Sequence, residues 1–272
     1  MRSYKSMKEA LAYGRGAERP FNCPEHDDAH ASATVNVEKG VWFCHACHAS
    51  GKTQDGKHDV SYIRLLQPEE PIPAMSPLSV EYTNAYLGYG QYWATRYGPA
   101  VAAKFATGVD PVTGYPCLPI MDAIGTTVHG FLLRRPDGEE GPKYLYPRAV
   151  PVSRLLFGHH LVRAGMSLLV LVEGASDVMS LHRWPVPKGA GVVGVYGAGL
   201  HAVQTELVAA MSPLRVVCAM DADSAGALAN ERSAARLAEA GVGACVYNWR
   251  TAGVTDPGEL EEDPWPSLMR AR

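Results

Sequence analysis

Three acidic residues stand where a chain can do chemistry with them. Glu173 follows the wholly apolar run Leu168-Leu-Val-Leu-Val172, and Asp221 and Asp223 follow Arg215-Val-Val-Cys-Ala-Met220. Short apolar runs that end in a turn signal such as Glu173-Gly174 read as buried parallel strands. Two such strands deliver three carboxylates to the carboxyl-end rim, where open α/β sheets bind ligands. Anions grouped in this way repel one another unless a hard cation sits among them. Mg²⁺, which takes one or two carboxylates together with substrate phosphates, suits the set, with Mn²⁺ as the alternative ion. The chemistry suggested is phosphoryl or nucleotidyl transfer. Asp177 lies in the first turn of the helix that follows Glu173, so it is either a helix-start residue or a fourth acid of the metal site, and Asp256 is a further carboxylate within reach of it.

These acids need a frame, and the pattern from Ala164 onward supplies one. Strand 168–172, helix 176–183, strand 191–195, helix 201–211, strand 215–220, helix 225–239 and strand 243–247 alternate, which predicts a mostly parallel sheet covered by helices. The preceding stretch, 78–163, is of mixed α and β character. Ser79 to Tyr86 and Gln91 to Lys104 are expected as helices, with Pro99 breaking the second. Cys117 to Met121, Thr127 to Leu133 and Lys143 to Tyr146 are expected as strands, with a turn at Pro136-Asp137-Gly138. Basic residues, among them Arg134, Arg135, Lys143, Arg148, Arg154 and Arg163, outnumber the acids here. A cationic segment beside a carboxylate site can hold a phosphate backbone or a triphosphate, while the plainer reading is a solvated face. Tyr144 and Tyr146 offer stacking surfaces to bases or, as strand tyrosines usually do, packing.

At the amino end, Cys23-Pro-Glu-His26 and Cys44-His-Ala-Cys47 form two ligand pairs of equal spacing. Each tight turn presents two side chains to one tetrahedral ion, so a structural Zn²⁺ held by Cys23, His26, Cys44 and Cys47 is expected, with no position left for an activated water. Ala33 to Val37 and Gly40 to Phe43 supply a hairpin between the pairs. Ser50-Gly-Lys-Thr53 fails as a phosphate-binding loop, because the first glycine of that motif falls on Ala46 and no strand precedes it. Gln67 to Pro77 carries four prolines and reads as a stiff linker. The chain therefore divides into a zinc ribbon (1–66), a linker (67–77), a basic subdomain (78–163), the parallel α/β domain (164–250) and an acidic carboxyl-terminal tail (251–272).

With 272 residues, 47% of them hydrophobic, the chain can bury a substantial core, and its formal net charge of −3 confines any polyanion site to a local patch. No apolar run approaches the roughly 18 residues of a membrane span, and Met1 to Ala10 lacks the apolar core of a signal peptide. A cytoplasmic, reducing setting follows, in which grouped cysteines bind metal and the dispersed Cys117, Cys218 and Cys245 are core residues.

Taken together, these motifs resemble a shortened DnaG-type bacterial or phage DNA primase. The cysteine and histidine pairs, with Thr34-Val-Asn-Val37 between them, resemble that family's zinc-binding domain. Phe105 to Gly108, Leu118-Pro-Ile120, Gly130-Phe131, Pro142-Lys-Tyr-Leu145 and Leu156-Phe-Gly158 resemble the basic half of its polymerase core. Glu173-Gly-x-x-Asp177, Asp221-x-Asp223-x-Ala-Gly226 and Asp256-Pro257 resemble its Toprim half. The resemblance implies Mg-dependent synthesis of short RNA primers from NTPs on single-stranded DNA. Glu173, Asp221 and Asp223 would be central to it, Asp177 or Asp256 would assist, and Arg134, Arg135, Lys143 and Arg154 would line the groove. It also implies a structural Zn²⁺ and a replicative helicase as a separate partner; the compact, Ala- and Gly-rich composition suits a phage with a high-GC genome, replicating in a bacterial cytoplasm. Gly258 stands where many relatives carry a second aspartate, and Arg154 stands near the place of a usual lysine. A Toprim-type nuclease and a non-catalytic single-stranded DNA-binding protein are the alternatives.

Overall fold

The computed structural model describes residues 4–13, 17–25, 31–37, 41–46, 50–52, 78–87, 91–147, 150–197 and 199–271. The linker expected at 67–77, and His26, Cys47 and Arg148, lie outside the described residues. The chain forms two units, Met1–Ile72 and Pro73–Arg272.

In the first unit a short helix, α1 (Met7–Tyr13), precedes four antiparallel strands: β1 (Glu18–Phe21), β2 (Ala33–Asn36), β3 (Val41–Cys44) and β4 (Ser50–Lys52), paired in chain order. Burial alternates along β2 and β3, so one face of the sheet gathers Phe21, Ala33, Val35, Trp42 and Cys44 over Ala10 of α1. Ser50, Gly51 and Lys52 pair with Phe43, Trp42 and Val41, so the lysine belongs to an edge strand and not to a phosphate loop.

The second unit opens with three short helices, α2 (Val80–Tyr86), α3 (Gln91–Tyr97) and α4 (Pro99–Lys104). Gly98, at φ 90°, turns the chain between the last two, and Pro99 begins α4 at the position where its missing N–H costs nothing. Trp93, Tyr97, Val101 and Phe105, spaced by a helical turn, are all buried. An antiparallel sheet follows, of β5 (Gly108–Val109), β6 (Pro116–Met121), β7 (Val128–Arg134) and β8 (Tyr144–Leu145), again in chain order.

Beyond it lies the expected parallel sheet. β9 (Leu168–Val172), β10 (Ala190–Gly194), β11 (Val216–Cys218) and β12 (Ala244–Val246) alternate with α5 (Ala175–Leu181), α6 (Ala202–Ala210) and α7 (Ser224–Glu239), and the strand order is β10-β9-β11-β12, parallel throughout. All five residues of β9 are fully buried, as a central strand covered on both faces requires. Leu169, Leu171, Val193, Val216 and Cys218 face one core with α6 and α7. Leu168, Val170, Val172, Val192 and Val217 face another, which continues without a break into Trp93, Phe105, Leu118, Ile120 and Leu132 of the preceding subdomain. One core therefore sets the distance between the two sheets.

The carboxyl-terminal segment packs onto that same core. Leu260, Trp265 and Leu268 are buried, the last two on the one-turn helix α8 (Trp265–Leu268), and Trp265 Nε1 donates to the Leu181 carbonyl at 3.2 Å. Of the residues expected as an acidic tail, Glu261, Glu262 and Asp263 remain exposed.

Gln204 is fully buried on α6. Its amide nitrogen donates to the carbonyls of Leu155 and Val195, both at 2.8 Å, and its oxygen accepts from the His201 N–H. It thus ties the turn that carries Arg154 to the end of β10. Replacement by leucine strands two buried carbonyls, so Gln204→Leu is expected to lower the unfolding free energy by about 2–4 kcal/mol in urea titrations.

Candidate active site

The strand order places a topological switch at β9. From β9 the chain crosses to β10 on one side, then returns over the sheet to β11 on the other. The crevice that such a reversal opens lies beyond the carboxyl ends of β9 and β11. Glu173 directly follows β9, and Asp221 and Asp223 follow β11 across the same crevice.

The five acids singled out in the sequence act on one another electrostatically. Burial, then Asp223 and Asp256, raise the Glu173 carboxyl, and Lys143 opposes the shift. Burial, then Glu173 and Asp256, push Asp177 up to about 7, against the pull of the Gly174 N–H and of Lys143. Burial and the charges of Asp177, Glu173, Asp256 and Asp223 push Asp221 up to about 8. Asp221 Oδ1 is buried and has no hydrogen-bond partner. A buried carboxylate oxygen without a donor is costly, and a cation is what would satisfy it. Among the described residues no three acidic, cysteine or histidine side chains stand close enough to clasp an ion unaided.

Each outer acid is tethered by a glycine N–H. Asp177 Oδ2 accepts from Gly174 at 2.8 Å, Asp223 Oδ1 from Gly226 at 2.7 Å and Asp256 Oδ1 from Gly258 at 2.6 Å. Asp177 is therefore both the helix-start residue and a member of the acidic group. At Gly226 a Cβ would lie 2.1 Å from the Asp221 carbonyl oxygen, so only glycine allows α7 to begin so close beneath the acidic loop.

The cations of the preceding subdomain divide by role. Lys143, exposed and just before β8, is the one whose charge reaches Glu173 and Asp177. Arg134 is buried: it donates from Nε to the Tyr92 hydroxyl at 3.1 Å, pairs with Asp137 at 2.6 Å, and lies over the Tyr144 ring. Arg135 closes the same hairpin on the carbonyls of Pro142 and Glu140. Both are spent on bracing β7 and β8 and thereby on aiming Lys143. Arg154 is half-buried on the turn held by Gln204 and is not among the charges that shift the acids. Tyr146 keeps 41% of its surface exposed, yet burial of the remainder and the carboxylates of Glu173 and Asp177 push its hydroxyl up to about 12.

Several participants went unread in the sequence. Arg96, exposed on α3, donates to the Tyr97 hydroxyl at 3.1 Å, and Tyr92 and Tyr144 act on its charge. Asn230, buried on α7, accepts from the Met220 N–H at 2.9 Å, and Trp249 Nε1 donates to the Ala219 carbonyl at 2.8 Å. Both hold the approach to Asp221.

In the first unit the register aligns Phe21, Ala33 and Cys44 in one row across the sheet, so Cys23 and Cys44 come to the same end and share its buried cluster. Cys23 Sγ accepts from the Glu25 N–H at 3.4 Å, and Cys44 Sγ stands 3.2 Å from Ser32 Oγ. The other two expected ligands, His26 and Cys47, lie outside the described residues.

Residues 170–260 match the Toprim-like family model. The zinc-binding and RNA polymerase domains of the Aquifex aeolicus primase superpose with a TM-score of 0.54 at 21% identity, over 94% of this chain and 78% of that one. A DnaG catalytic core gives 0.52 at 23% identity (66% and 71%), and a DnaG primase catalytic domain bound to single-stranded DNA gives 0.53 at 22% identity (66% and 70%). No curated protein sequence matches the chain. No helix among the described residues is long and apolar enough to cross a membrane.

The raised carboxyls make stability depend on pH. Asp177 has a folded value of about 7 against an ordinary 3.8, so its contribution is complete below the ordinary value and is lost as pH rises through the folded one. Asp177→Asn keeps an acceptor for the Gly174 N–H without the charge. Without added divalent metal, the stability of the variant relative to the wild type in thermal unfolding is expected to rise by on the order of 2 kcal/mol between pH 5 and pH 8.

Proposed function

We propose that this chain, whose residues 170–260 match the Toprim-like family model and whose fold is similar to that of DnaG-type primases, synthesises short RNA primers on single-stranded DNA by Mg-dependent nucleotidyl transfer. The observation that carries the proposal is that Glu173, Asp221 and Asp223 follow paired strands at the switch of the parallel sheet and act on one another electrostatically, with one buried carboxylate oxygen lacking a donor.

Glu173, Asp221 and Asp223 would hold Mg²⁺, with Asp256 or Asp177 in support. The ion supplies charge stabilisation at the α-phosphate and the leaving pyrophosphate. Lys143 binds a phosphate oxygen of the incoming NTP and, by opposing the acids, keeps the rim open to an anion. A primer 3′-hydroxyl forms the new bond to the α-phosphorus as the bond to pyrophosphate breaks. Alternatively Glu173, whose carboxyl is raised by burial and by Asp223 and Asp256, takes the hydroxyl proton. Arg96 and Arg154 extend the cationic side toward the template, while Arg134 and Arg135 act through the hairpin they brace.

A structural Zn²⁺ on Cys23, His26, Cys44 and Cys47 belongs to the same reading, supported by the two cysteines that share one end of the sheet. Single-stranded DNA and NTPs are the proposed ligands and a separate replicative helicase the proposed partner. A phage replicating in a bacterial cytoplasm is the proposed source.

Purified protein, single-stranded DNA, Mg²⁺ and labelled NTPs test the catalytic proposal. Short RNA products are expected, and Asp221→Asn should reduce them by at least about a hundredfold, as loss of a charge-stabilising group at a reacting phosphate does. DNA breaks formed without NTPs would instead identify a Toprim-type nuclease, and metal-independent binding alone a non-catalytic binder. For the ribbon, Cys44→Ser is expected to lose bound zinc by elemental analysis; full zinc content in that variant refutes the ligand set.

A further inference from the structure

The two aspartates after β11 are separated by one residue, Ala222, and that residue's peptide groups are gripped from both ends. Its N–H donates to the Thr255 carbonyl at 2.7 Å. Its carbonyl accepts both Nε (3.1 Å) and Nη2 (2.9 Å) of Arg250. Arg250 stands on the single turn Trp249–Ala252, where its own N–H donates to Asn248 Oδ1, and its neighbour Trp249 anchors that turn to Ala219. Thr255 is fixed in turn by Glu259, whose carboxylate accepts from the Thr255 N–H and hydroxyl. Asp256 follows directly. The segment 249–259 therefore clips Asp221, Ala222 and Asp223 to the piece of chain that presents Asp256.

We propose that Arg250 is a positioning residue for the divalent-ion site: its forked hydrogen bond to the Ala222 carbonyl sets the orientation of Asp221 relative to Asp223. The inference rests on the metal reading of these acids given above. A guanidinium is the side chain that can place two parallel donors on one carbonyl; an ammonium offers a single point of contact. Arg250 is itself exposed, and Trp249, Asn230 and Thr255 hold the surrounding backbone without it. Its removal should therefore loosen the aspartate pair without unfolding the domain. Partners of metal ligands that fix orientation typically matter by one to two orders of magnitude in affinity.

The test is Mn²⁺ binding to the full chain, read from the electron paramagnetic resonance of the free ion. Arg250→Ala is expected to weaken Mn²⁺ binding about tenfold, with Arg250→Lys giving partial recovery at most. Added guanidinium ion at millimolar concentration should restore binding to Arg250→Ala and leave the wild type unchanged. In primer synthesis the same variant should need more Mg²⁺ for half-maximal rate while reaching the wild-type rate at saturation. Unchanged Mn²⁺ affinity in Arg250→Ala overturns the inference and leaves the metal reading standing, as does a fall in metal-free thermal stability large enough to account for the weakened binding. A wild-type chain that binds no Mn²⁺ overturns both.

Discussion

Repulsion among Glu173, Asp177, Asp221, Asp223 and Asp256 is the force the second unit is built to withstand. Left to a flexible loop, five carboxyls in electrostatic reach of one another would spread into water at little cost. Here each is delivered by an element that has no freedom to yield. Glu173 rides on a strand whose residues are all fully buried, and Asp221 sits past a strand hydrogen-bonded to it. Asp177, Asp223 and Asp256 are each hooked by a glycine N–H. Glycine recurs at these hooks for a steric reason, clearest at 226, where any side chain would collide with the Asp221 backbone. It also gives Gly258 a local purpose. A Cβ there would stand 2.7 Å from Asp256 Oδ1, so any side chain at 258 would have to turn that carboxylate aside.

The same constraint explains why the two sheets share one core. The proposed site would need a cation at a fixed distance from the acids, and a mobile subdomain could not provide it. Trp93, Phe105, Leu118, Ile120 and Leu132 pack in a single cluster with Leu168, Val170 and Val172, so the antiparallel sheet cannot shift without opening the interior of the parallel one. Gln204 adds a polar tie across the same join. Upon that base Arg134 and Arg135 stiffen the β7–β8 hairpin, and the Lys143 side chain is carried by it. The buried arginine is thus coupled to the acids only through the backbone it braces, which is why its burial and the accessibility of Lys143 are two sides of one arrangement.

How much of this could be read in the sequence follows from how local each signal is. β9, its partner strands and the helices between them are visible because an apolar run and a helical repeat are properties of consecutive residues. Glu173, Asp221 and Asp223 are visible because they end those runs. The packed carboxyl-terminal segment is not, since Trp265 and Leu268 are too few to make a periodic pattern and owe their burial to Leu181 and its neighbours. The cations mislead for a related reason. Composition counts Arg134 and Lys143 alike, but Tyr92, Asp137 and the Tyr144 ring decide that one turns inward and the other outward. Arg96, Asn230 and Arg250 gain their roles only from carbonyls, amides and rings brought to them by the fold, and no spacing announces that.

The resulting balance of charge bears on how such a rim meets an anion. Among the described residues four acids act on Asp221, and Lys143 opposes the shifts of Glu173 and Asp177. A polyphosphate approaching this rim without a counter-ion would meet net repulsion. With a divalent ion among the carboxylates, the raised acids would ionise, the buried Asp221 oxygen would gain its partner, and the repulsion would be reduced. Binding of cation and of phosphate are then linked, each improving the site for the other. In the proposed function that coupling would let a chain of formal charge −3 engage a polyanion, the attraction arising at the site from the ion and a few aimed side chains.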